Sequence, residues 1–139
     1  GLTVYGGLSN IDQDSTAAQY DGDVEEHTYA VVYAAGGFTI GYQYSEEDLG
    51  RSSTEQQYEN TGYGITFQIN DDLSVGYNNY ESDQTNTTNV TAEAESLQIA
   101  YTFGGASIRL AEASVDNSAY QTANSYDRDG TTLSVSLAF

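Results

Sequence analysis

Period-two alternation of apolar and polar residues runs the length of this chain, and it is plainest in the last nine residues, Thr131-Thr132-Leu133-Ser134-Val135-Ser136-Leu137-Ala138-Phe139. Leu133, Val135, Leu137 and Phe139 fall on one side and Thr132, Ser134, Ser136 and Ala138 on the other, as in a strand with one apolar and one polar face. A terminal aromatic residue with no polar tail is unusual for a chain end in water, where termini fray and gain nothing from a Phe. The same alternation marks segments 2–9, 27–35, 38–46, 61–69, 73–80, 96–103 and 106–115, so eight strands are expected.

The connections sort into two kinds. Gly36-Gly37, Asn70-Asp71-Asp72 and Gly104-Gly105 read as tight turns, built from residues that tolerate positive φ. Between them lie four long polar stretches, 10–26, 47–60, 81–95 and 116–130. The turns also fix register. A two-residue turn at Gly36-Gly37 sets Ala35 against Phe38, Tyr33 against Ile40 and Val31 against Tyr42. Gly104-Gly105 sets Phe103 against Ala106, Tyr101 against Ile108 and Ile99 against Leu110. The turn at Asn70–Asp72 brings Phe67 beside Val75 and Ile65 beside Tyr77. All three hairpins place apolar on apolar and polar on polar.

Length bounds the chain to one domain over residues 1–139. Without cysteine there is no disulfide framework and no thiolate zinc site. No apolar run approaches the ~18 residues of a membrane helix. No basic stretch leads into an apolar one as in a signal peptide, so a mature or trimmed chain is expected. Net charge is −18, with Arg51, Arg109 and Arg128 as the cationic side chains apart from His27. Such a field repels nucleic acid and attracts cations. Mean hydropathy is −0.50, and strong acidity at that level also suits disorder. The 13 Tyr, four Phe and regular alternation oppose it.

What faces the apolar side is either a second layer or lipid. Each segment is close to the ~9–11 residues of a tilted membrane-crossing strand, and short turns at one end with long loops at the other suit a barrel in a membrane. Phe38, Phe67, Phe103 and Phe139 cluster at the short-turn end, and Tyr29, Tyr44, Tyr63 and Tyr80 lie toward the long loops. Aromatic bands at both edges of an apolar belt suit a membrane interface, although tyrosines are good strand formers in a sandwich too. Arg109 points to the polar face, and Glu112 falls on the apolar one, where it must reach the outer boundary or follow a bulge.

GLTVYGGLS, GGFTIGYQYS, LQIAYTFGGASIRLAEA and the closing TTLSVSLAF resemble the C-terminal half of the alphaproteobacterial, Rhodobacter-type general porins, over essentially the whole chain. The likeness lies in strand style and the terminal Phe strand rather than in one diagnostic motif. It implies a transmembrane antiparallel up-and-down β-barrel in the Gram-negative outer membrane. Eight strands here would be part of a 16-stranded trimeric channel that passes small hydrophilic solutes passively. The inward-folded third loop of that family has no counterpart in this sequence. The small inward set, including Thr39, Gly41, Gly64, Thr66, Ser74 and Gly76, suits a water-lined wall better than a closed core. The start at Gly1-Leu2, already in strand, fits a segment of a larger pore. The alternatives are a closed eight-stranded barrel with a structural or adhesive role and a soluble, acidic, calcium-stabilised β-protein.

The expected wall carries Gln43, Gln68, Asn78, Gln98 and Arg109 as its larger groups, with Arg109 placed to meet anionic solutes or an acidic loop. The acidic balance implies a modest preference for cations. Asp12, Asp14, Asp21 and Asp23 crowd one loop and could hold calcium weakly, but their spacing lacks the glycine and closing Glu of an EF-hand. His27 has no nominated serine partner, so no hydrolytic step, no catalytic residue and no organic cofactor are expected. The expected partners are lipid, small solutes and further copies of the chain.

Overall fold

The computed structural model describes residues 1–13, 22–51, 57–85 and 88–138. It is one antiparallel sheet of eight strands in sequence order: β1 (Leu2–Ile11), β2 (Val24–Ala35), β3 (Phe38–Asp48), β4 (Gln57–Gln68), β5 (Leu73–Thr85), β6 (Val90–Phe103), β7 (Ala106–Asp116) and β8 (Arg128–Leu137). Two single 3₁₀ turns, Ser118–Tyr120 and Asn124–Tyr126, lie between β7 and β8. The three hairpin registers are those expected: Tyr33 opposite Ile40, Phe67 opposite Val75, and Tyr101 opposite Ile108. Gly36 and Gly37 have φ of 58° and 85°, and Gly104 and Gly105 of 50° and 85°. Two successive positive φ values are what a two-residue hairpin turn requires to match strand twist, and glycine reaches them without strain.

Several strands run past their expected ends. β2 begins at Val24, β4 at Gln57 and β6 at Val90, while β5 continues to Thr85. The connection between β5 and β6 is therefore 86–89, not the long loop expected over 81–95. Polar residues such as Glu81, Ser82, Thr91 and Glu93 keep pairing because the ladder needs only backbone groups. β8 ends at Leu137, and Phe139 lies outside the described residues.

The sheet is open: β1 pairs only with β2 and β8 only with β7, so these eight strands do not close on themselves. This departs from the closed eight-stranded alternative. Small residues on the polar face could not fill a closed interior.

No described hydrophobic side chain is buried. Instead the apolar residues form a band across one face of all eight strands. Its long-loop edge is Tyr29, Tyr44, Tyr63, Tyr77, Leu97, Leu110 and Leu133 on β2 to β8. The band does not follow the hydrogen-bonded rows. Tyr29 and Tyr44, Tyr77 and Leu97, and Leu110 and Leu133 are opposite each other, but Tyr63 pairs with Tyr42, Tyr77 with Ile65 and Leu110 with Ile99, each a step down of two residues. Averaged over the six steps the edge drops about one residue per strand, about 3.4 Å for each 4.8 Å sideways. A band with that drift lies level when the strands tilt by about 35°, the lower end of the range for barrels.

Cross-strand rings reinforce the band. Phe38 stacks on Phe67 with centroids 4.2 Å apart, and Tyr29 on Tyr44 at 5.1 Å. Tyr80, expected beside Tyr29 and Tyr44, is on the polar face opposite Gly62. Tyr77 takes the outer position on β5, because Leu73 and Val75 fix the alternation there.

Candidate functional site: the polar face of the sheet

The polar face carries two adjoining hollows that take in four of the expected wall residues. One of about 590 Å³ is lined by Gln43 and Asn78 over a floor of Gly41, Gly62 and Gly64, with Tyr5 and Tyr80 at its flanks. A second, of about 400 Å³, is lined by Asn78, Gln98 and Arg109 with Thr39, Thr66 and Ser74. The glycines make room for their neighbours: a Cβ on Gly62 would stand 3.4 Å from the Tyr80 ring, and one on Gly76 would stand 3.1 Å from Thr66 Cγ2. Glycine under a cross-strand side chain thus keeps this face shallow.

Four of the five expected wall residues come together here. Gln98 Nε2 donates to Asn78 Oδ1 at 3.3 Å, Gln43 lies across the glycine floor from Asn78, and Arg109 closes the other side, opposite Ala100 and Ser134. Among the described residues Arg109 makes no ion pair. Gln68 stands apart at the short-turn rim, where its amide donates to the Asn70 carbonyl at 2.6 Å and serves the turn.

Charge is divided unevenly between the faces. Glu25, Glu46, Asp48, Glu59, Glu81, Asp83, Glu93, Glu95, Glu112, Asp116 and Asp129 all share the face of the apolar band, on its long-loop side. In the strands of the polar face the acids are Glu26 and Glu47, opposite one another, set against Arg109 and Arg128. The net charge therefore gives little support for cation preference along the wall itself. Glu112 marks where the band ends on β7. Its carboxylate accepts the Thr131 hydroxyl at 2.7 and 3.0 Å, next to Tyr77 Oη donating to Glu95 at 2.9 Å. No bulge is needed, because the drift of the band brings Glu112 above its edge.

Of the proposed calcium group, Asp14 and Asp21 lie outside the described residues. Asp12 is exposed, and Asp23 Oδ1 accepts the Gln13 amide at 3.3 Å. Among the described residues no three His, Asp or Glu side chains converge as a metal group. His27 Nε2 lies 3.5 Å from Glu46 on the face of the apolar band, and neither residue lines the two hollows of the polar face.

One polar cluster was not legible in the sequence. The 3₁₀ turn Ser118–Tyr120 folds back over β6 onto the polar face, where the Tyr120 hydroxyl is 2.7 Å from Ser82 Oγ. Ser82 donates in turn to Asn60 Oδ1 at 2.5 Å, and the Tyr58 ring lies 5.6 Å from that of Tyr120. The nearest sequence signal was Ala92 and Ala94, whose small side chains leave that stretch of β6 low.

Comparison with family models, with curated proteins and with solved structures finds no match, so geometry and chemistry carry the functional reading.

Proposed function

We propose that this sheet is part of the wall of a transmembrane β-barrel in the Gram-negative outer membrane, a porin that passes small hydrophilic solutes by diffusion. The observation that carries it is the level apolar band. It spans eight strands, about 34 Å across and about 20 Å along each strand, larger than the 300–600 Å² patches monomers leave in water. Lipid covers such a band, and aromatic rings and carboxylates belong at its edges.

The polar face then lines water. The β1 and β8 edges are not paired with each other, and an even number of further up-and-down strands between them closes the barrel. By the family resemblance the whole is 16-stranded and trimeric. Solutes slide past neutral amides and hydroxyls, and Arg109 is the charged group of mid-wall. Cation preference, where present, comes from Glu26, Glu47 and the loops. The proposed role involves no chemical step and no cofactor.

The test is single-channel conductance and sugar-permeation of the intact protein folded into planar bilayers and vesicles. Stepwise ohmic conductance supports a pore. A protein that inserts yet conducts nothing refutes it, and one that stays in solution without detergent refutes the membrane reading as well.

A further inference from the structure

Tyr5, Ala30, Gln43, Gly62 and Tyr80 stand opposite one another across β1 to β5 and form one row of the polar face. A tyrosine closes each end, four strand spacings or about 19 Å apart along the sheet, and Gln43 alone is large between them. The next row toward the short turns is Val32, Gly41, Gly64 and Asn78 on β2 to β5, bare except at its ends. These two rows make the hollow of about 590 Å³, a size within the ~300–1,000 Å³ usual for small-molecule sites.

Three features decide what such a hollow can take. The first is charge: no Asp, Glu, Arg or His lines it, in a chain of net charge −18. The second is an open ring. Tyr80 leans over Gly62, where a Cβ would stand 3.4 Å from its Cδ2, yet 44% of the residue stays exposed. Backbone backs the ring on one side and its π face is open on the other. The third is unused hydrogen-bonding capacity. Gln13, Gln57, Gln68, Gln84, Gln98 and Gln121 each donate from the side-chain amide to another protein group, and Gln43 is the described glutamine that does not. Asn78 Oδ1 accepts from Gln98, but among the described residues its Nδ2 has no protein acceptor. Gln43 and Asn78 lie two strands and two residues apart, about 12 Å between Cα atoms, with Gly62 and Gly64 bare between them.

We propose that this hollow binds a neutral oligosaccharide, with Tyr5 and Tyr80 as stacking surfaces and Gln43 and Asn78 as the hydrogen-bonding groups. A sugar hydroxyl both gives and takes hydrogen bonds, and a side-chain amide answers both. The C–H face of a pyranose carries partial positive charge and packs on the negative face of an aromatic ring. A charged ligand finds no counter-charge here. Rings four strands apart cannot sandwich one planar molecule, but they serve a chain of several sugar rings lying along the row. The proposal rests on the pore reading above and deepens it: a solute of this class is held on the wall, so its passage saturates where simple diffusion does not.

The test uses the intact protein, with folding checked by heat-dependent gel mobility, and maltotriose, cellotriose and uridine as probes. Binding is read by calorimetric titration in detergent micelles and by the dependence of current on probe concentration in planar bilayers. At least one of the two sugars is expected to bind saturably and to reduce the current along a curve with the same midpoint. Tyr80→Ala is expected to weaken binding about 10-fold and Gln43→Ala about 5-fold, as for one lost ring contact and one lost hydrogen bond. Tyr80→Phe keeps the ring and is expected to stay within about 3-fold of the wild type. Tyr126→Ala, exposed and outside the hollow, serves as control and is expected to match the wild type. A conducting wild type that binds neither sugar, or folded Tyr80→Ala and Gln43→Ala variants with wild-type affinity, overturn the site and leave the pore standing. Binding of uridine in place of the sugars overturns the assignment of the ligand. A wild type that does not conduct overturns the pore, and the titration in micelles then decides the hollow by itself.

Discussion

Ile40 and Thr39 are neighbours on β3 that face opposite ways, and an arginine at each asks what lies on either side of the sheet. Ile40 sits within the apolar band between Phe38 and Tyr42, opposite Tyr33 and Ile65, and half of it is exposed. Thr39 is opposite Ala34 and Thr66 on the polar face. An arginine near the middle of a lipid-facing band costs about 2–4 kcal/mol, so Ile40→Arg is expected to lose about 3 kcal/mol, roughly a hundredfold in the folding equilibrium. Thr39→Arg, projecting into water, is expected to change stability by at most about 0.5 kcal/mol. Thr61→Arg, opposite Tyr44 and Glu81 just beyond the band, is expected to cost about 0–1 kcal/mol, because lipid-facing penalties fade toward the interface. The assay is reversible urea unfolding in phosphatidylcholine vesicles, followed by circular dichroism and gel mobility. Equal costs at Ile40 and Thr39, or an arginine tolerated freely at Ile40, would refute the assignment of lipid to this face.

Other substitutions probe separate parts of the structure. Ala119→Gly removes the Cβ from a residue at φ 57° and is expected to stabilise the fold by about 1 kcal/mol in the same unfolding assay. Gly37→Ala is expected to destabilise by at least about 1 kcal/mol, since φ is 85° and the new Cβ would stand 3.2 Å from the Gln68 carbonyl oxygen. Glu59 lies directly between Glu46 and Asp83, so Glu59→Gln is expected to gain about 0.5 kcal/mol at low salt and nothing in 1 M salt. Arg109→Gln is expected to leave stability unchanged and shift reversal potentials toward cation permeability, which bilayer recordings under a salt gradient would show.

Faces and registers could be read from the sequence because each tight turn is marked by Gly-Gly or Asn-Asp, and a turn of known length leaves a hairpin one register. Strand ends could not. Glu81, Asp83, Thr91 and Glu93 look like loop by composition, yet they continue the β5–β6 ladder, since backbone pairing is indifferent to a charged side chain that points into water. Tyr80 was misplaced for a related reason: height along a strand was legible, but its face depended on which of Asn79 and Tyr80 continued the Leu73-Val75-Tyr77 series. Gln43, Asn78, Gln98 and Arg109 could be placed on the polar face because alternation and the turn registers together decide which way each side chain points. Tyr120 was invisible because 116–130 has no periodicity, and its partners Ser82 and Tyr58 are distant in sequence. The charge total says nothing of placement, and pairing sends most strand carboxylates to the face of the apolar band.

The central claim is that the apolar face meets lipid. The chain has no tryptophan, so one can be placed at will. Single Ile40→Trp and Thr39→Trp variants of the intact protein, folded into vesicles with acyl-chain-brominated lipid, separate the two faces by fluorescence quenching. Strong quenching at position 40 with little at 39 is the expected result. Equal quenching at both, or none at 40, would contradict it.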